Sequence, residues 1–392
     1  MRLAYLALIE IDVANACLVH TREIAEGLAG LGHQVTLILP RPLRGQAWGG
    51  VEHTWVRWWG FDRKRQWAFF VESAWRLWRL HRHRPFDVLY VREMARHPFL
   101  SWLASWLRLP LFVEVNGWVL DDLRLLGAPA GELRAAERNQ RRLFRASAGI
   151  VASTAGSAGR VVTDYGIPKE RVYVQELGTN TAHFSQGDRR RARVDLGLPP
   201  DGGIILFAGS FHPHHDLSTL VKAFAQLAPR GFEKARLLLV GDGHQWDATR
   251  EAIASFGIGG RVTMCGFRPY EEIPSYFQAA DIGVAPLTAS NIIRRNGAVT
   301  AKLWDYMAAG LAVVVTDFPH TLSASLLADK AYVVPPEDPH AMAEAFEKLL
   351  GDANERRRLA EAGLHYVRRH RTWRQAAEET VDFIAKRLSE TP

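Results

Sequence analysis

The stretch Asp281–Asp317, DIGVAPLTASNIIRRNGAVTAKLWDYMAAGLAVVVTD, decides the fold because it holds strand, polar loop, helix and second strand in one unit. The apolar run Ile282 to Pro286 is expected as a buried strand end and Asn291 to Thr300 as a polar loop. Ala301 to Ala309 then reads as a helix stopped by Gly310, and Leu311 to Thr316 as the next strand. Thr300 is placed to cap that helix. Backbone N–H groups just after it point back into the loop, where a helix N-terminus favours an anion such as a diphosphate. Lys302 and Asp305 lie near that end.

The same alternation extends in both directions. Strands are expected at Leu3 to Ile9, Gln34 to Leu39, Val88 to Val91, Leu111 to Val115, Ile150 to Ala152 and Val172 to Gln175, with a helix Val19 to Leu31 closed by Gly32. A second series follows at Ile204 to Ala208, Arg236 to Val240, Val262 to Cys265, Ile282 to Ala285, Ala312 to Thr316 and Tyr332 to Val334. Short β-type runs separated by amphipathic helices predict α/β architecture with parallel, doubly wound sheets. At 392 residues the chain suits two such domains. The expected limits are 1–184 for the first, 185–200 for a charged linker, 201–366 for the second and 367–392 for a terminal helix.

Composition is that of a globular chain, with 47% apolar and 23% charged residues, so disorder is excluded. Cys17 and Cys265 stand far apart, which argues against a disulfide framework and for a reducing, cytoplasmic compartment. Glu10 and Asp12 interrupt the run that a signal peptide would need. The best candidate for a membrane span, Phe99 to Val113, holds Arg108 and Pro110 and is too short to cross. The net charge of +7 is unevenly placed, because Arg41 to Arg108 carries 13 Lys or Arg against 5 Asp or Glu. Within it, Trp55 to Arg84 interleaves Trp55, Trp58, Trp59, Trp67, Trp75 and Trp78 with eight arginines and lysines, a composition suited to an anionic membrane surface. Trp75 and Trp78 also fit a buried helix stripe. Nucleic acid is not expected, since no recognised module accompanies these residues.

Two further segments offer chemistry. In ILFAGSFHPHHDLSTLVKAFAQL, a turn at Gly209 and Ser210 follows a strand and lets backbone approach a phosphate closely, before a loop with His212, His214 and His215. These are surface loop histidines, ligand contacts or, less simply, a zinc site. In LLLVGDGHQW, Gly241, Asp242 and Gly243 form a tight turn at another strand end, as a ligand contact or as a turn needing glycine. Asn116 in VEVNGWVLDDL and His20 in LVHTRE are polar residues at expected strand and helix ends, each readable as a site residue or as a structural cap or core histidine.

The words KLWDYMAAG and AVVVTD resemble the donor-nucleotide motif of the family 4 retaining glycosyltransferases, where K-L-x-E-Y-M-A-x-G precedes a β run. The opening HTREIAEGLAGLGHQVTLI and the later VTMCGFRPYEEIPSYFQAADIGVAPL resemble the same family. That resemblance implies the GT-B fold, two Rossmann-like domains across a cleft, an N-terminal acceptor domain, a C-terminal donor domain, and a last helix crossing back to the first. It implies transfer of a sugar from a nucleotide diphosphate sugar to a glycan or glycolipid hydroxyl, with no required metal or other cofactor. In the family two acidic residues stand eight positions apart; here those positions hold Gly297, which has lost the carboxylate, and Asp305, expected on the ribose. His215 takes the usual basic position, Ser210 stands where many members have Arg and Asp216 where Gly is usual. Lys302 and the backbone at Ala298, Val299 and Thr300 would meet the diphosphate, Phe267 the nucleobase edge, and Gly209 and Asp242 the donor. Asn116 and His20 would lie near the reacting sugar and acceptor. In VQELGTNTAHF, Gly178, Asn180 and Phe184 match G-x-D-x-x-x-F with the acid changed to its amide. Two alternatives remain beside transfer: a sugar-nucleotide epimerase of the same fold, and a non-catalytic nucleotide-sugar-binding scaffold in a glycan-assembly complex.

Overall fold

Residues 1–11, 16–42, 48–57, 63–94, 100–125, 127–185, 187–297, 301–317 and 324–390 are described by a computed structural model, the side chains of 63–65, 291, 324 and 325 excepted. Seven strands, β1 (Arg2–Leu6), β2 (Gln34–Pro40), β3 (Glu52–Val56), β4 (Val88–Arg92), β5 (Leu111–Val115), β6 (Gly149–Ala152) and β7 (Val172–Val174), form one parallel sheet in the order β3-β2-β1-β4-β5-β6-β7. Six more, β8 (Ile204–Ala208), β9 (Arg236–Val240), β10 (Val262–Gly266), β11 (Ile282–Ala285), β12 (Ala312–Thr316) and β13 (Tyr332–Val334), form a second in the order β10-β9-β8-β11-β12-β13. Near-continuous apolar strands such as LFVEV and IILFA are buried on both faces, as parallel sheets under two helix layers require. The strand order reverses between β1 and β4 and again between β8 and β11, and such switch points are where open α/β sheets bind ligands.

The chain divides into two compact units, Met1–Leu177 with Trp373–Pro392, and Gly178–Thr372. In the first, Phe69, Phe86, Phe144 and Tyr165 fill one face of the sheet, while Ile24, Leu28, Trp373, Ala377 and Ile384 fill the other. The helix Trp373–Glu390 therefore belongs to the first unit and packs on helix Ala16–Gly30. Small residues permit that approach: a Cβ on Gly27 would lie 2.8 Å from Ala377 Cβ, and one on Gly149 2.8 Å from rings of Phe112 and Phe383. In the second unit Phe207, Phe224 and Phe346 sit in the core.

Four local features differ from the sequence reading. β3 is an additional edge strand, only partly buried and too polar to announce itself. The stretch 185–200, expected as a linker, contains helix Arg189–Asp195, capped by Asp188. Arg193, 5% exposed, anchors it: Nη2 donates to Asp281 Oδ2 at 2.7 Å and Nε to Ala279 O at 3.0 Å. A guanidinium with this many fixed acceptors is a docked side chain, so the segment is part of the second unit. The C-terminal helices break at Arg371 and Thr372, between Ala353–His370 and Trp373–Glu390, rather than at 366. Finally, the polar loop expected over 291–300 begins as helix Asn291–Asn296, with Ser290 Oγ accepting from Ile293 N.

Candidate functional site

At the carboxyl end of β8 the backbone turns at Gly209, whose φ of +150° and N–H bond to Val240 O bring it against the neighbouring turn. A Cβ on Gly241, at φ +133°, would stand 1.9 Å from Gly209 O, so these two turns interlock only with glycine. A Cβ on Gly209 would lie 2.9 Å from Lys302 Nζ, which shows how closely the lysine approaches this backbone. Asp242 is exposed and its Oδ1 accepts from Gly243 N at 2.7 Å, a bond that shapes the turn. Ser210 contributes its carbonyl, which accepts from His215 Nδ1 at 2.7 Å.

That bond fixes the state of His215. A carbonyl can only accept, so Nδ1 carries the hydrogen and Nε2 presents a lone pair. Lys302 Nζ donates to this Nε2 at 2.7 Å and lies 4.5 Å from the centroid of the Phe207 ring. Burial pushes the Lys302 ammonium down to about 7, opposed by Asp305 one turn along the helix. Burial and the adjacent lysine push His215 down to about 2, so its imidazole is neutral at physiological pH. His212 and His214 pair ring to ring at 4.4 Å and are also lowered by burial. Gln245 Nε2 secures the loop by donating to His212 O at 2.5 Å and His215 O at 2.9 Å. Among the described residues no group of three or more His, Cys, Asp or Glu is arranged to hold a metal.

Helix Ala301–Ala308 is pinned to β8 by Tyr306, whose hydroxyl accepts from Ala208 N at 2.7 Å. Room for that ring comes from Gly283, where a Cβ would lie 2.5 Å from it. On the same helix Asp305 Oδ1 accepts from Thr179 Oγ1 at 2.7 Å. Thr179 is held in turn by its N–H bond to Arg371 O and a parallel bridge to Thr372. Gly297 ends helix Asn291–Asn296 at φ +72°, ψ 171°, a conformation essentially reserved for glycine. Phe267, 52% exposed, follows β10 after the turn at Gly266, φ +69°. Ala298, Val299 and Thr300 lie outside the described residues.

In the first unit the polar candidates gather around Glu114 on β5, which is 1% exposed. Tyr5 donates to its Oε2 at 2.8 Å, Arg92 Nη1 to its Oε1 at 3.1 Å, and Asn116 Nδ2 also donates to Oε1. His20 Nε2 lies 3.2 Å from Oε1, with its ring against Trp373 at 5.2 Å. Burial pushes His20 down to about 4, Glu114 opposing and Arg92 adding to the shift. Beside this cluster, Glu93 accepts from Gln140, which accepts from Tyr165. Burial pushes the Glu93 carboxyl up to about 8.

Comparison with known proteins gives this arrangement a family. The family described as Glycosyl transferases group 1 matches residues 188–365, and that described as Glycosyl transferase 4-like domain matches 16–178. A D-inositol 3-phosphate glycosyltransferase of Nocardia farcinica is 28% identical over 298 residues, 70% of this chain and 64% of that protein. The chain spans about half to just under two-thirds of the length of such curated relatives. The chain belongs to the family 4, group 1 glycosyltransferases of GT-B fold. Solved structures agree on the fold: sucrose-phosphate synthase from Thermosynechococcus elongatus covers 100% of both chains at TM-score 0.76 and 18% identity. Anabaena HepE, solved with UDP and glucose, covers 98% of this chain and 100% of its own at TM-score 0.73 and 16% identity.

The structure thus groups the glycosyltransferase candidates by unit. It brings Gly209, Ser210, His215 and Lys302 together, and puts Asp305 on the same helix as Lys302. It unites His20 and Asn116 through Glu114. Asp216, found where the family has glycine, caps helix Leu217–Ala225 by accepting from Thr219 N at 3.0 Å. Sequence reasoning assigned no role to Thr179 or Arg92 and had no signal for them, because each acts on a carboxylate distant in the chain. Glu114 was visible as a polar residue within an apolar strand, which is the pattern that marks a paired buried charge.

Proposed function

We propose that the second unit binds a nucleotide diphosphate sugar and that the chain transfers the sugar, with retained anomeric configuration, to a hydroxyl of a glycan or glycolipid acceptor. The observation that carries this reading is the Lys302 amine held against Gly209 at the carboxyl end of β8, beside the β8–β11 switch point. When the bond from sugar to diphosphate breaks, negative charge grows on the leaving oxygen, and a protonated Lys302 stabilises it there without reorganisation. Asp305, oriented by Thr179, accepts from ribose hydroxyls, and the exposed Phe267 offers its face to the base. The reading calls for no resident metal or other cofactor.

The acceptor side is assigned to a membrane surface, at the cytoplasmic face. On helix Arg63–His83, Trp67, Val71 and Trp75 are exposed at spacings of four, and Arg79 lies over Trp75 at 5.6 Å. Trp102 and Trp106, exposed and stacked in parallel at 5.9 Å, add apolar area in the same unit. Aromatics flanked by arginine suit the interface of an anionic bilayer. Trp58 and Trp59 lie outside the described residues. No helix among the described residues is long and apolar enough to cross a membrane.

Calorimetric titration with UDP, GDP and ADP, with and without magnesium, tests the donor site. Binding of one nucleotide without metal, lost in Asp305→Ala, is the expected result. Binding of none removes the reading. Flotation with vesicles containing anionic lipid tests the surface, and retention that ignores both anionic lipid and salt overturns it.

A further inference from the structure

His215 stands where a basic ligand of the diphosphate is expected, yet its geometry gives it another task. Its one N–H is committed to Ser210 O at 2.7 Å, so the ring has no donor left for a phosphate oxygen. Its lone pair faces Lys302 Nζ at 2.7 Å. The ring is also held by edge contact with Phe207 at 5.4 Å, and the Gln245 amide fixes the backbone of the same residue by donating to its carbonyl at 2.9 Å. The lysine amine is thereby confined between an imidazole lone pair, an aromatic face and the Cα of Gly209.

We propose that His215 is a positioning residue whose bare Nε2 holds the Lys302 amine beside Gly209, and that a nucleoside diphosphate binds there together with one proton taken from solvent. The inference rests on the donor-site reading above. The proton comes from a buffer acid, adds to the Lys302 lone pair and turns amine into ammonium; no other bond changes. The groups facing the amine support this. His215 is neutral, His212 and His214 beyond it are lowered by burial, Asp216 caps its helix through Oδ1 alone, and Asp305, whose Oδ1 accepts from Thr179, opposes the effect of burial without removing it. Burial thus leaves the empty site with a lysine near the balance point of its two forms, and an incoming dianion tips it to the charged one.

The test is calorimetric titration of the full chain with UDP at about pH 8.5, where UDP phosphates no longer titrate, in phosphate and in Tris buffers. Binding heats differing by the equivalent of nearly one proton are expected, with affinity falling about tenfold per pH unit from about pH 7.5 to 9. Lys302→Arg, charged throughout, should bind without proton uptake. His215→Leu should lose more affinity at pH 8.5 than at pH 7, and His215→Gln, whose amide can both donate to Ser210 O and accept from Lys302, should restore it. UDP binding with the same heat in both buffers overturns the proton uptake alone. An equal loss at both pH values in His215→Leu overturns the positioning role. No binding of UDP, GDP or ADP at any pH overturns the inference along with the reading beneath it.

Discussion

The carboxyl ends of the two sheets treat a charged side chain in opposite ways. At the end of β5, Glu114 is surrounded by donors from Tyr5, Arg92 and Asn116, with His20 within 3.2 Å. At the end of β8, Lys302 meets a neutral imidazole and an aromatic ring, and burial holds its ammonium down. A buried charge persists only where it is paired or where something else will pair it. The first unit has therefore satisfied its charge internally, and the second keeps a lysine that an anionic ligand can hold in its charged form. A group whose folding cost exceeds its structural return is the kind that marks a functional site.

Removing each charge should have opposite consequences. Lys302→Ala is expected to lower transfer by about 10²–10³-fold, the order seen on losing a donor that acts on developing charge, while leaving thermal stability unchanged or raised. Transfer assays beside melting curves check both halves, and wild-type turnover would end the charge-stabilising role. Glu114→Ala should instead cost about 3–5 kcal/mol of stability in urea unfolding, because it strands the buried Arg92 guanidinium. A loss below about 1 kcal/mol would mean that the network contributes no more than a surface pair.

The two ends also differ in how far they could be read from sequence. Gly209, Lys302 and Asp305 announce themselves because a turn after a strand and a polar pair at a helix start are local patterns. Most of the Glu114 cluster does not, since Tyr5, His20 and Arg92 come from separate elements that only the parallel sheet and helix Ala16–Gly30 bring to the local pair Glu114 and Asn116. Thr179 and Asp305, 126 residues apart, are hidden for the same reason. Alternating apolar runs made the two sheets legible, whereas β3 lacked that signal because an edge strand needs little apolar surface. Helix Asn291–Asn296 was missed because six polar-rich residues carry too little periodicity.

Gly297 sharpens the comparison, for here an absent carboxylate has a backbone cause. At φ +72° and ψ 171°, Gly297→Glu should cost about 1–3 kcal/mol and gain no UDP affinity. Tighter UDP binding in that variant would show that the loop can adopt the acidic family pattern. In the first unit, burial raises Glu93 to about 8, above its unfolded value, so the folded chain keeps a proton that the unfolded chain releases. Its contribution is therefore present at low pH and is lost as pH rises from about 5 to about 8. Glu93→Gln should flatten that slope by up to about 4–5 kcal/mol across the window, as read from unfolding free energies at several pH values. An unchanged slope would place the titrating group elsewhere.

The smallest expected effect falls on the link that orients Asp305. Thr179 is 1% exposed and its hydroxyl donates to Oδ1, so Thr179→Val keeps the shape and removes only the donor. A hydrogen bond to a carboxylate is worth about 1.5–3 kcal/mol, and because the hydroxyl only orients Asp305, a loss of about 1 kcal/mol, or roughly fivefold weaker UDP binding, is expected. Thr179→Ser should recover most of it, since the hydroxyl returns while the methyl does not. If Ser fails and Val matches wild type, the methyl packing matters and the hydroxyl does not. The carboxylate at the second unit's helix would then owe nothing to the Thr179 hydroxyl, and the contrast with Glu114, which takes donors from three side chains, would be sharper still.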